Sequence, residues 1–340
     1  MALLYRIDTK AKRLLQPIVT TYEGYADVPE KTPGVIIEPF TISGWDHKPL
    51  QACIVRRAEN SSELTPRQHA LLDKLPELPL LGDVDYVLVC AEWDHGIRTA
   101  LPPAEELAAA GLTCVLWEPR GSNSERSWCT YGLYESRDVA CLIDALEKRA
   151  GHGNLLVVGV GQGYGADLML QAAATEPRLR ATVATDADAS LTKLLKRSGL
   201  STPMRELIGW RMCQLTGLEP FDVAPVKSAG LIPREVPVLL VHSSDDAGAA
   251  QDAVAIFSQL KSDFGRLITP RIKSDAPDAT VRTVVYTTEG GTHEVQQKLD
   301  IELVDDADSL TVEMLRWLNN CIPALQETPL PPSPTSPTTR

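Results

Sequence analysis

The residue pattern best placed to do chemistry lacks its reactive atom. Gly159-Val160-Gly161-Gln162-Gly163 lies between an apolar run and a helical pattern. It has the G-x-S-x-G form of a nucleophile elbow, with glycine where the serine would stand. Gly161 carries no Oγ, so this position can neither attack a carbonyl nor be deprotonated. Glycine there relieves a backbone strain of about 1–3 kcal/mol, whereas losing the nucleophile costs a triad enzyme roughly 10⁶-fold in turnover. Downstream, Asp246 lies four residues past His242, where an acid is expected, and Asp245 is its rival. His293, within Glu289-Gly290-Gly291-Thr292-His293-Glu294, follows the last strand pattern, where a base is expected. The three fall in the chain order nucleophile, acid, base.

Other candidates carry weaker chemistry. His242 reads as a strand-end structural residue. Glu92, Asp94 and His95 cluster in one loop, but short acidic loops are common and no metal site is expected. Cys90 ends a strand and could replace the serine, although buried packing is its expected role. Gly161-x-Gly163-x-x-Ala166, with Asp186 at the end of the next strand, also satisfies a dinucleotide-binding pattern. That pattern sits mid-chain and would leave Asp246 and His293 without a role, so no cofactor is expected.

The elements that must position these residues alternate. Residues 34–57 read as two strands joined by a turn around Trp45–Pro49, and residues 58–85 as a loop with a short helix. Strands are then expected at 86–90, 112–118, 154–160, 181–186, 236–242 and 281–287. Helices are expected at about 103–110, 134–149, 163–175, 249–262 and 307–320. This alternation implies a mostly parallel sheet of about eight strands with helices on both faces. The expected division is an N-terminal extension with the first two strands (1–85), a first core part with the elbow (86–189), a small helical cap (190–233), and a second core part (234–321). A disordered Pro/Thr-rich tail follows at 322–340.

Composition narrows the partners. The 340 residues are 44% hydrophobic and carry a formal net charge of −12. No Lys/Arg block stands out and no apolar run reaches the length of a membrane span. No nucleic acid and no membrane is expected as partner, which leaves a small-molecule ligand or substrate, or a protein. Seven scattered cysteines without a C-x-x-C pair suggest a reduced, cytoplasmic setting.

From about Tyr86 to Asn320 the chain resembles the α/β-hydrolase superfamily, and within it the esterase and serine-aminopeptidase-like branch. Glu118-Pro119-Arg120-Gly121-Ser122-Asn123-Ser124 is similar to the family's D-x-R-G-x-G-x-S loop. Thr130-Tyr131-Gly132-Leu133-Tyr134-Glu135-Ser136-Arg137-Asp138 is similar to its T-x-G-x-x-E-x-x-D helix start, and Asp222-Val223-Ala224-Pro225 is another shared feature. The chain departs from the family at Gly161, at Cys90-Ala91 where His-Gly is usual, at Glu118 in place of aspartate, and at Ser243 in place of glycine. The resemblance implies an α/β-hydrolase fold, with oxyanion-hole donors at Ala91 and Gln162. It also implies a homologue that is non-hydrolytic or catalytically impaired. The alternatives are an active esterase-like enzyme, or a lyase using His293 as base without a covalent intermediate.

Overall fold

The computed structural model describes residues 2–16, 31–58, 64–75, 78–90, 97–121, 128–197, 199–217, 219, 222–242, 247–263, 265–268, 281–285, 297–301 and 307–327. The chain opens with helix α1 (Ala2–Leu15), followed by a two-residue strand β1 (Lys31–Thr32) and a hairpin of β2 (Val35–Ser43) and β3 (Pro49–Arg57). After helix α2 (Pro66–Lys74), strands and helices alternate. They are β4 (Tyr86–Cys90), α3 (Ile97–Ala109), β5 (Cys114–Trp117), α4 (Glu135–Ala150), β6 (Val157–Gln162), α5 (Tyr164–Thr175) and β7 (Leu179–Thr185). Three helices follow: α6 (Leu191–Arg197), α7 (Thr202–Thr216) and α8 (Pro225–Ala229). Then come β8 (Val238–Val241), α9 (Ala247–Phe257), β9 (Arg266–Ile268), β10 (Val281–Val285), β11 (Gln297–Ile301) and α10 (Ala307–Glu327).

Nine strands form one sheet in the order β1-β2-β3-β5-β4-β6-β7-β8-β9. β3 runs antiparallel to both β2 and β5, while the pairs from β5 to β9 are parallel. Strands β4, β5 and β8 read YVLVC, CVLW and VLLV, and are buried almost throughout. Continuous apolar strands of this kind require cover on both faces. Two core clusters supply it, one around Leu142, Leu146, Leu168 and Met169, the other around Leu107, Leu116, Leu315 and Ile322. From β4 the chain steps to β5 on one side and then returns to β6 on the other. This reversal of strand order falls between β4 and β6, and in open α/β sheets ligands bind at the C-terminal ends of the strands that flank such a switch point.

The structure corrects two sequence expectations here. The segment at 281–287 was expected to close the parallel sheet. Its β-branched residues do form a strand, but β10 pairs antiparallel with β11 in a separate two-stranded sheet. The parallel sheet closes instead on β9, whose three residues are too few to show a periodic pattern. The tail was expected to begin at 322, yet α10 continues to Glu327 through Pro323. Ile322 and Leu325 are buried in the core, and the Leu325 carbonyl accepts a hydrogen bond from Arg180.

Candidate functional site

The strand-to-helix turn falls two residues later than the sequence frame placed it. Gly161 is a ladder residue of β6, in register with Cys90 of β4 and Ala184 of β7, and the ladder continues to Gln162 opposite Thr185. The chain turns at Gly163, with φ 53° and ψ −117°. This is close to the first central position of a type II′ turn, which favours glycine. The Gly163 N–H donates to the Thr185 carbonyl at 2.9 Å, and the Asp167 N–H closes the first turn of α5 on the Gly163 carbonyl at 3.1 Å. The geometric frame is therefore Gly161-Gln162-Gly163-Tyr164-Gly165.

The two glycines answer to different constraints. A Cβ at Gly161 would lie 2.2 Å from the carbonyl carbon and oxygen of Gly165 and 2.5 Å from the Ala166 nitrogen. Those atoms are helix backbone and cannot move aside. Gly161 lets α5 approach the strand, while Gly163 supplies the turn. Gln162 is an exposed ladder residue rather than the one following the turn. That position belongs to Tyr164, at the start of α5, where helix N–H groups have no intrahelical partner.

The ground beside the turn is densely packed. Tyr164 is buried, its ring edge-on to Tyr131 with centroids 6.2 Å apart. Tyr131 holds φ 52°, unusual for an aromatic residue. It is pinned by its hydroxyl, which donates to the Leu14 carbonyl at 2.7 Å, and by its own carbonyl, which accepts from Gln171 Nε2 at 2.8 Å. The Cys129 N–H donates to the Leu15 carbonyl at 2.8 Å, so the C-terminal end of α1 packs directly on this loop. The sequence reading did not place a helix at α1. Ile7, Ala11 and Leu15, spaced by four and buried, are the signal that could have found it. Cys90 is buried, and burial, with the Glu135 carboxylate nearby, pushes its thiol up. Both effects oppose the thiolate that a substitute nucleophile needs.

The family-like loops are pieces of scaffold. Arg120 places Nε 2.6 Å from Asp138 Oδ2 and Nη2 2.6 Å from Asp138 Oδ1, and it also reaches Asp46 at 2.9 Å. Burial disfavours the guanidinium, but hydrogen bonds to these carboxylates more than restore its charge. Asp138 also accepts the Trp45 N–H at 3.0 Å, so one carboxylate ties the β2–β3 turn, the loop after β5 and α4 together. Glu135 is fully buried and accepts from the Thr130 N–H and hydroxyl, both at 2.6 Å, and from the Gly132 N–H at 2.8 Å. Glu118, just past β5, is also buried at 2% exposure, and burial pushes its carboxyl up to about 7.

Asp186 and His242 continue the row of strand ends from Gly163. The β6–β7 and β7–β8 registers pair Gln162 with Thr185 and Thr185 with Val241, so the next residues of the three strands stand side by side. The Asp186 N–H donates to the Val241 carbonyl at 2.8 Å, and Asp186 holds φ 54°. His242 is buried. Asp245, Asp246, His293 and Ala91 lie outside the described residues, as do Glu92, Asp94 and His95. Among the described residues, no group of three or more His, Cys, Asp or Glu side chains could hold a metal ion.

No protein-family model and no curated protein matches the sequence. Solved structures match the fold. An esterase of Pyrococcus furiosus aligns at 14% identity over 72% of this chain and 87% of its own, with a TM-score of 0.51. Brefeldin A esterase, described as a bacterial homologue of human hormone-sensitive lipase, aligns at 14% identity over 78% of this chain and 76% of its own, with a TM-score of 0.52. Identity this low speaks to architecture alone. With the β3-β5-β4-β6 order, the single antiparallel β3 among β2 to β9 and the turn from β6 into α5, it establishes that the chain has the α/β-hydrolase fold.

Proposed function

We propose that this α/β-hydrolase-fold protein does not run the covalent serine mechanism, and that it binds a small molecule at the C-terminal edge of its sheet. The observation carrying this reading is the turn at Gly163, where the fold would present a nucleophile and the chain offers no side chain. A hydrolase fold keeps its ligand crevice when the nucleophile is gone, because the crevice comes from strand order and loops rather than from one hydroxyl. The matched esterases favour an ester or related acyl compound as the ligand class. Asp246 and His293 are proposed as a retained acid and base. Ala91 and the Tyr164 N–H, in place of Gln162, are the proposed donors to a ligand oxygen.

The test is p-nitrophenyl ester hydrolysis by the wild type, Gly163→Ser and Gly161→Ser, each with and without His293→Ala. The wild type is expected to be inert, and Gly163→Ser to gain activity that His293→Ala removes. Gly161→Ser should gain none. Turnover by the wild type that depends on His293 would overturn the reading and favour direct attack by water. A protein partner at the same edge is the outcome favoured if Gly163→Ser folds, stays inert and binds no acyl compound.

A further inference from the structure

Seven large apolar side chains are exposed among the described residues, and five sit on one pair of helices. Leu3, Leu4 and Tyr5 are 54%, 64% and 73% exposed on α1, and Leu207 and Trp210 are 40% and 56% exposed on α7. Asp8 joins the two helices through Arg211, with Nε at 2.7 Å and Nη2 at 2.6 Å. Leu4 and Tyr5 lie within one turn of Asp8, and Leu207 and Trp210 within one turn of Arg211. Leu4, Tyr5 and Leu207 stand three or four residues from the members of this ion pair, on the same helix sides.

The charge of the pair is opposite to that of the chain. α1 carries Arg6, Lys10, Lys12 and Arg13 against Asp8, and α7 carries Arg205 and Arg211 against Glu206. The chain as a whole has a formal net charge of −12. Arg6, Lys10 and Arg13 are all exposed and recur at helical spacing, forming one stripe that continues from Leu3. The buried stripe of Ile7, Ala11 and Leu15 holds α1 to the core, so the exposed apolar tip is not what fixes the helix in place.

We propose that the α1–α7 pair docks the protein on an anionic lipid surface. Leu3, at the head of the basic stripe, enters the headgroup boundary with Tyr5 and Trp210, and the stripe lies along the phosphates. Leucine, tyrosine and tryptophan beside lysine and arginine are the composition that interfacial helices use. A nucleic acid would take the cations but leave the leucines in water. A two-fold contact with a second copy would bring the basic stripe towards itself. Among the described residues, no helix is long and apolar enough to cross a membrane, and peripheral docking requires none.

The experiment is co-sedimentation of the full chain with phosphatidylcholine vesicles, with and without phosphatidylserine, at low and high salt. Binding only to the phosphatidylserine vesicles, and released by salt, is expected. The exposed-site variants Leu3→Ser/Tyr5→Ser/Trp210→Ser and Arg6→Glu/Lys10→Glu/Arg13→Glu should each weaken it by about tenfold or more. Circular dichroism of both variants, expected unchanged, separates lost docking from lost folding. Absence of wild-type binding would overturn the proposal, as would variants that fold and bind like wild type. Concentration-dependent dimers abolished by the apolar variant would overturn it too, in favour of a self-interface.

Discussion

The two sides of the β6–α5 elbow are built to opposite specifications. On the strand side, Gly161 sits where a single added carbon would strike the backbone of α5 at 2.2 Å. At the turn, two residues on, Gly163 is shaped by its dihedral angles and its hydrogen bond to Thr185. One glycine is set by space, the other by conformation. A side chain at the first cannot coexist with the helix.

Breaking the strand side should have the largest effect. Gly161→Ser forces strand and helix apart and is expected to cost more than about 4 kcal/mol, read as loss of the folded state in urea titration. Next comes the scaffold behind the loops. Arg120→Met strands the buried Asp138 carboxylate and is expected to cost about 3–5 kcal/mol by the same measurement. The exposed Arg149–Glu38 pair, also at 2.6 Å, should be worth no more than about 1 kcal/mol.

Glu118 sharpens the comparison through pH. Its folded value, about 7, lies above the ordinary 4.5, so the folded protein holds this proton more tightly than the unfolded chain. Its contribution is complete below about 4.5 and is lost as pH rises through about 7. The span corresponds to at most about 3 kcal/mol. Thermal unfolding from pH 4.5 to 8 should show this decline, and Glu118→Gln should flatten it. Gly163→Ser is expected to cost about 1–3 kcal/mol, because a side chain there is strained by the positive φ of the turn.

What the sequence made legible follows the same division. Continuous apolar runs located β4 and β8, because a strand buried on both faces can show little else. The elbow itself was legible as a glycine-rich frame, but its register was not. Gly161 and Gln162 interrupt the apolar run, yet their ladder to Ala184 and Thr185 keeps them in the strand. A strand end decided by hydrogen bonding leaves no trace in hydrophobicity. β9 was hidden by its length, and β10 misled because β-branched residues fix a strand without fixing its partner. Arg120, Glu135 and Asp138 were legible as motif residues, whereas their joint work as a buried brace emerged only from the contacts.

The measurement that tests the central claim most directly is fluorophosphonate labelling with intact mass and peptide mapping, on the wild type and on Gly163→Ser. The account predicts no adduct on the wild type and a single adduct on the serine introduced at position 163. A wild-type adduct would contradict the absence of a covalent nucleophile. A folded Gly163→Ser protein that takes no label would contradict the placement of the nucleophile position at the turn.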